Sequence, residues 1–353
     1  MHRILTTAVA GAVLLVLSGC GSGRAAHSTG TGSATHSVGV SAGTGTTVPM
    51  GSGADIGPTD TASPAPSTAS DTTSSQSFSA SSQSSSVAPP ARTTEGATSS
   101  RSVLPEIAHI VVIVEENRSA DDILGNPAAP YINSLAQSGA TLTNSYAITH
   151  PSEPNYVALF SGSTQGLATD ACPLRFDGAN LAAQLASAGK DFRGYSEGLP
   201  QVGFTGCTAG AYARKHAPWT NFANVPDTVN QPFTAFPSDY TQLPAVSFVI
   251  PNLDHDMHNG TIAEGDAWLR THLGDYVDWA TTHDSLLVLT WDEDDGGHGN
   301  RIPTIIVGAH VQPGSYGEYV NHYRLLRTLD ELEGLPPTGD AASATPITDI
   351  WAG

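Results

Sequence analysis

The sequence predicts an α/β fold with a mostly parallel central sheet, and three observations carry that prediction. From Pro105 onward, β-branched and apolar runs alternate with segments of helical period, the pattern of strands joined by helical crossovers. Three of the runs are predominantly apolar on both alternating faces, as strands covered on both sides are. Each of the three ends in acids or amides, and open α/β sheets bind their ligands just beyond the carboxyl ends of the strands.

In chain order, Ile107–Glu115 is the first strand, because its run of Ile and Val leaves no polar face. Ala129–Ser138 reads as a helix and Thr141–Ile148 as a strand. Asn180–Ala188 is helical and closes at Gly189, and Asp191–Tyr195 is a further strand. The Pro- and Gly-rich region 198–243 interrupts the alternation. Ala245–Ile250 is a strand, and Asp266–Thr282 an amphipathic helix with Trp268, Leu269, Leu273, Tyr276, Val277 and Ala280 on one face. Ser285–Trp291 and Ile302–Val307 are strands, and Asn321–Leu332 is the last helix. Residues 105–353 suffice for one such domain.

What precedes that domain is different in kind. His2 and Arg3 lead into an apolar run, Ile4–Leu17, too short to span a bilayer comfortably. This is the pattern of an export signal, and Leu17-Ser18-Gly19-Cys20 matches a lipoprotein lipobox, which makes Cys20 the expected lipidation site. Residues 21–104 are Ser, Thr, Gly and Ala with scattered Pro. Such a stretch cannot bury enough apolar surface to offset its ordering entropy, so it is expected to be a disordered tether. The chain then divides into a signal with lipobox (1–20), a tether (21–104) and a folded domain (105–353), tethered to the outer face of the cell membrane or released from it. With Cys20 set aside, Cys172 and Cys207 remain, an even number in an exported chain, and a disulfide between them is the economical reading.

Charge narrows the partners. Of 14 basic and 33 acidic residues, four of each lie before Pro105, so the whole net charge of −19 belongs to the folded domain. Nucleic acid is bound by neutralising phosphates with Lys and Arg, and this surface repels it. Cations it attracts.

The acids fall at the ends of the three apolar runs. The first enters Glu115-Glu116-Asn117, the second Asn252-Leu253-Asp254-His255-Asp256-Met257-His258, and the third Asp292-Glu293-Asp294-Asp295. Parallel strands gather these groups at one sheet edge, where carboxylates repel one another unless a cation lies between them. Oxygen-rich sets with some imidazole suit Mg, Ca, Mn or Zn. A fourth segment, Thr149-His150-Pro151-Ser152-Glu153-Pro154-Asn155-Tyr156, carries Ser152 where a strand gives way to a helix. Next to a metal its hydroxyl could act as a nucleophile, with phosphate at the helix start. Equally, Ser152 could be only the N-cap of that helix.

Together, Glu116-Asn117-Arg118-Ser119, the His150–Tyr156 segment, Asn252–His258, Trp291–Gly296, Tyr212-Ala213-Arg214-Lys215-His216 and Pro346–Trp351 resemble the bacterial phosphoesterase family of acid phosphatases and phospholipases C. The resemblance covers essentially all of 105–353. It implies the three-layer α/β sandwich of the alkaline-phosphatase-like superfamily and one or two divalent metal ions. By position it implies Glu116, Asn117, Asp292 and Glu293 as metal ligands and Ser152 as the nucleophile. Asp254 and His258 have the Asp-x-x-x-His spacing of a second metal site, which His298 could complete, although His298 stands in a Gly-rich turn that departs from the family pattern. Asp294 and Asp295 are either structural or alternatives to Glu293. His150, Arg214, Lys215 and His216 lie near the family motifs and could bind phosphate or protonate the leaving group, or could be basic residues of an exposed loop.

The function so implied is metal-dependent hydrolysis of phosphate monoesters through a phosphoserine. Two alternatives stand beside it: a phospholipase C-type phosphodiesterase acting on membrane lipid, and a surface lipoprotein that binds a cation without chemistry.

Overall fold

The computed structural model describes residues 104–352. The export signal, the lipidation site at Cys20 and the tether all lie outside the described residues. Ten strands and six α-helices follow in chain order: β1 (His109–Glu115), α1 (Ala120–Ile123), α2 (Pro130–Ser138), β2 (Ala140–Tyr146), α3 (Ser152–Ser161), α4 (Leu181–Ser187), β3 (Phe192–Ser196), β4 (Thr208–Ala209), β5 (Tyr212–Ala213), β6 (Asn230–Pro232), β7 (Val246–Ile250), α5 (Ile262–Ala280), β8 (Ser285–Trp291), β9 (Thr304–Gly308), β10 (Gly314–Asn321) and α6 (His322–Leu332). Eight strands make one sheet in the order β10-β2-β9-β8-β1-β7-β3-β6, and β4 and β5 form a separate hairpin. Only β9 runs against its neighbours β8 and β2; every other pairing in the sheet is parallel.

Alternate residues of β1 serve different layers. Ile110, Val112 and Val114 pack with Tyr156 and Phe160 of α3, Leu181 and Leu185 of α4, and Leu325, Leu326 and Leu329 of α6. Val111 and Ile113 pack with Ile132 and Leu135 of α2 and with Leu269, Leu273 and Tyr276 of α5. Helices thus cover both faces, which makes the expected three-layer sandwich. It also explains why β1 has no polar face to show in the sequence.

Helix starts follow their side-chain caps. Asn180 accepts from the Ala183 N–H at the head of α4, and Asn321 from the Arg324 N–H at the head of α6. Helix α5 begins four residues before the expected Asp266, because Thr261 and Glu264 close a capping box there. The edge strand β10 has no counterpart in the sequence reading: its Gly-rich, largely exposed run, Gly314–Asn321, lacks the apolar signature of the buried strands. Cys172 and Cys207 are disulfide-bonded, with their Cα atoms 5.8 Å apart.

One buried group outside the sheet edge makes stability depend on pH. Asp330 of α6 is fully buried, and neither carboxylate oxygen makes a well-aligned hydrogen bond. Burial pushes its pKa up to about 7, with Arg327 offsetting only part of the effect. Between the unfolded value and about 7 the folded state holds a proton that the unfolded chain has lost, so stability falls as pH rises through that window. Asp330→Asn is therefore expected to raise stability at pH 8 by about 1–3 kcal/mol and to change little at pH 4. Denaturant melts of the two proteins at both pH values check this.

Candidate active site

Because β8, β1 and β7 are adjacent and parallel, their carboxyl ends open side by side. Glu115 pairs with Trp291, so the residues that follow, Glu116 and Asp292, leave the sheet together. Backbone hydrogen bonds pin the departing loops: Asp292 N–H donates to the Glu115 carbonyl (3.0 Å), and Glu116 N–H to the Asp256 carbonyl (2.7 Å). The buried His322 is 2.7 Å through Nε2 from the Asp292 carbonyl, and burial holds its pKa down at about 4, so the ring is neutral and donates there. Asn117 takes the left-handed φ of 53°, which Asn tolerates better than most residues. In that conformation its N–H reaches Asp292 Oδ1 (3.1 Å) and its amide reaches Glu116 Oε2 (2.9 Å).

Helix α3 brings Ser152 to this edge. All ten of its residues are buried. It stops at Gly162, whose φ is 69° and where a Cβ would fall 2.1 Å from the Thr338 carbonyl oxygen, so no side chain fits. Pro151, not Ser152, is the N-cap, and no side chain caps the helix. Ser152 is therefore not the cap of this helix. Its hydroxyl, in a residue 2% exposed, points instead at carboxylates, 3.1 Å from Glu116 Oε2 and 3.3 Å from Glu293 Oε1. The leading N–H groups of α3 are not all open to phosphate, since the Glu153 N–H donates to Asp170 Oδ1 (3.0 Å).

A second set of groups meets Glu116 from the other side. Its Oε1 accepts from the Tyr156 hydroxyl (2.6 Å) and lies 2.9 Å from His216 Nε2. His216 stacks on Tyr156, and its Nδ1 is 3.3 Å from Asp256 Oδ2. Burial favours neutral forms, yet Glu116 and His216 charge each other: the glutamate is held well below its ordinary value and the imidazole pulled well above its own. The other acids go the opposite way. Burial, with Glu116 and Glu293 nearby, raises Asp292 well above the carboxylate range; burial also raises Asp256, and Glu293 to about 7 despite His150 beside it.

The donor set fits a divalent cation. Glu116, His216 and Asp256 each offer a ligand atom within 4.8 Å of the others. Asp292 Oδ2 is buried with no hydrogen-bond partner, which is costly unless something fills the gap. Carboxylate oxygens with one imidazole are suited to hard or borderline cations.

The sequence expectations sort accordingly. Glu116, Asn117, Ser152, Asp292 and Glu293 come together. His150 does too: its Nδ1 is 2.9 Å from Glu293 and its Nε2 3.2 Å from Asp294, with 44% of the side chain open to solvent. Asp294 is buried and ties the turn that follows, accepting from the N–H groups of Gly296, His298 and Asn300. Asp254 and His258 do not form the second ligand pair; both are exposed. The acid of this segment that joins the candidate set is Asp256, buried beside Met257, which packs in the core. His298 is exposed and pairs with Asp295, away from the cluster. Arg214 does not face substrate: it is buried, and its guanidinium is spent on Thr205 and Thr220. His216 lies in the candidate ligand set with Glu116 and Asp256, and Lys215 pairs with Asp170 (2.7 Å). Asp256 was visible only as one of two alternating acids. Tyr156, Asp170 and the place of His216 beside Glu116 and Asp256 had no signal in the sequence.

Residues 126–336 match the model of the Phosphoesterase family. The chain belongs to the phosphoesterase family. It is 58% identical over 254 residues to the phosphatidylinositol-3-phosphatase of Mycobacterium tuberculosis, covering 71% of this chain and 85% of that protein. It is 29% identical over 309 residues to a probable acid phosphatase of Kluyveromyces lactis, covering 75% of this chain and 72% of that one. A solved protein of the alkaline phosphatase superfamily from Vibrio parahaemolyticus is similar with a TM-score of 0.49 and 16% identity, covering 70% of this chain and 72% of that one. This member of the family is thus a hydrolase of phosphoric esters. The cluster at the carboxylate edge is its candidate active site. A cavity of about 610 Å³ between Pro173 and Asp227 is lined in part by Asn221, which donates to Glu153.

Proposed function

We propose that the protein is an exported, metal-dependent phosphomonoesterase that works through a phosphoserine at Ser152. The observation that carries this reading is the Ser152 hydroxyl, uncommitted to its helix and aimed between Glu116 and Glu293. A divalent cation held by Glu116, Asn117, Asp292 and Glu293, with a second at His216 and Asp256, would supply Lewis acidity to the phosphoryl oxygens and acidify the hydroxyl.

The chain's own groups do the rest. Glu116 and Glu293 orient Oγ and offer two carboxylates within reach of its proton. Oγ attacks phosphorus in line, the ester P–O bond breaks, and the leaving oxygen takes a proton. His150, half exposed at the mouth and held between Glu293 and Asp294, is the candidate donor. Water then attacks the phosphoserine, releasing phosphate and restoring the hydroxyl.

The name of the 58% identical relative supports phosphate monoesters on lipid headgroups as substrates. Cys20 as a lipid anchor would hold the enzyme at the outer face of the cell membrane, near such lipids.

The test compares p-nitrophenyl phosphate with bis-p-nitrophenyl phosphate, with chelator and with divalent metal restored. Chelator-sensitive release from the monoester, at least ~100-fold faster than from the diester, is the expected result. A reversed preference would point to a phospholipase C-type enzyme.

A further inference from the structure

Asp170 is set against the head of α3 and has no part in the mechanism above. Its Oδ1 accepts from the Glu153 N–H (3.0 Å), the amide next to Ser152, and its Oδ2 accepts from Lys215 Nζ (2.7 Å). The segment is tied in place. Glu153 accepts the Ala171 N–H through Oε2 (2.6 Å) and the Asn221 amide through Oε1 (3.1 Å), and Cys172 is disulfide-bonded to Cys207. Lys215 belongs to the same neighbourhood as Ser152. It precedes His216, whose Nε2 is 2.9 Å from Glu116. Burial opposes its charge, yet Asp170, Glu116 and Asp292 hold its pKa above the ordinary lysine value, so it lies within electrostatic reach of the carboxylates around Ser152.

We propose that Asp170 stands in for phosphate when the site is empty and competes with it, so that product phosphate is held loosely. The inference rests on the phosphomonoesterase reading and adds to it how the released phosphate is treated. Side chains of an α-helix lean toward its N-terminus, where the first N–H groups also point. A phosphoryl group on Ser152 Oγ therefore lies beside the Glu153 N–H. A helix start with an ammonium next to it is an anion site, and here a carboxylate already fills it. Phosphate takes the Glu153 N–H and Lys215 Nζ only as Asp170 gives them up. The Asp170 side chain is 33% exposed, so water can receive it. Its charge then remains beside the phosphate and repels it, which a neutral side chain would not do. A carboxylate that merely aimed Lys215 at the substrate would have the opposite effect, since its removal would weaken phosphate binding.

Asp170→Asn keeps an oxygen for the Glu153 N–H and removes the charge, and a part-exposed ion pair contributes little to the fold. The full chain is used, with divalent metal added. Calorimetry measures the binding of inorganic phosphate, and steady-state kinetics measure its inhibition of p-nitrophenyl phosphate turnover. Asp170→Asn is expected to bind phosphate about tenfold more tightly, with the inhibition constant and KM falling together and kcat not rising. Lys215→Met, which takes the ammonium from Asp170 and phosphate alike, is expected to weaken phosphate about tenfold. Phosphate bound by Asp170→Asn no more tightly than by the parent, by neither protein, or undiminished by Lys215→Met would overturn the proposal. Ester hydrolysis persisting in that case leaves the phosphatase reading intact. Tighter phosphate binding by Asp170→Asn, with no ester hydrolysed by it or by the parent, would support the competition and sink the phosphatase reading instead.

Discussion

Ser152→Ala is expected to lower kcat for phosphate monoesters by ~10⁴-fold or more, as loss of a covalent nucleophile does. The size of the effect follows from the geometry. Ser152 is the only hydroxyl hydrogen-bonded to both Glu116 and Glu293 among the described residues, so no neighbour replaces it. The fold has little reason to respond. The helix does not use Ser152 as its cap, Glu116 Oε2 keeps its bond to Asn117, and Glu293 Oε2 keeps His150. Circular dichroism and melting should match the parent within ~1 kcal/mol. A variant retaining more than a few per cent of turnover, about 1% being already generous, would remove Ser152 from the chemistry.

The second large effect concerns the cation. Chelation is expected to cost about 100-fold or more in kcat/KM, with recovery on adding divalent metal. It should also lower the melting temperature, because a ligand bound only by the folded state stabilises it, by about 2.7 kcal/mol at a hundred times Kd. The acid-base state of the metal-free site gives this prediction a sign in pH. Asp292 and Asp256 are raised and Glu293 sits at about 7, so near neutrality the edge holds protons that a cation must displace. His216, pulled up by Glu116 and Asp256, holds another. Binding therefore releases protons and weakens as pH falls through about 7. Calorimetry in two buffers of different ionisation enthalpy measures that release directly. Binding without proton release, or stability indifferent to chelator, would contradict the ligand set.

The buried parts of the fold were the most legible in the sequence. Strands β1, β7 and β8 announce themselves by apolar residues on both alternating faces, as a sheet covered on both sides requires, and their acidic ends mark the carboxyl edge. The edge strand β10 was not legible, because an exposed strand with glycines at Gly314 and Gly317 carries neither apolar run nor alternation. At the site, the residues adjoining those strands, Glu116, Asn117, Asp292 and Glu293, were found because strand ends locate them. Asp256 was passed over for Asp254. Two acids of one loop differ only in which way the backbone turns, and that is set by Met257 entering the core, a tertiary fact. Arg214 shows the opposite failure. A basic residue in an acidic domain looked like a phosphate ligand, yet its guanidinium satisfies the carbonyls of Thr205 and Thr220 that the irregular region 198–243 leaves unpaired.

The most direct test of the covalent mechanism is the stereochemical course at phosphorus. A phosphorothioate monoester made chiral with oxygen isotopes is hydrolysed in isotopically labelled water, and the configuration of the inorganic thiophosphate is read. Attack by Ser152 followed by water is two in-line displacements, each inverting the centre, so the expected result is overall retention. Overall inversion would mean that water attacks the ester directly, and Ser152 could not be the nucleophile.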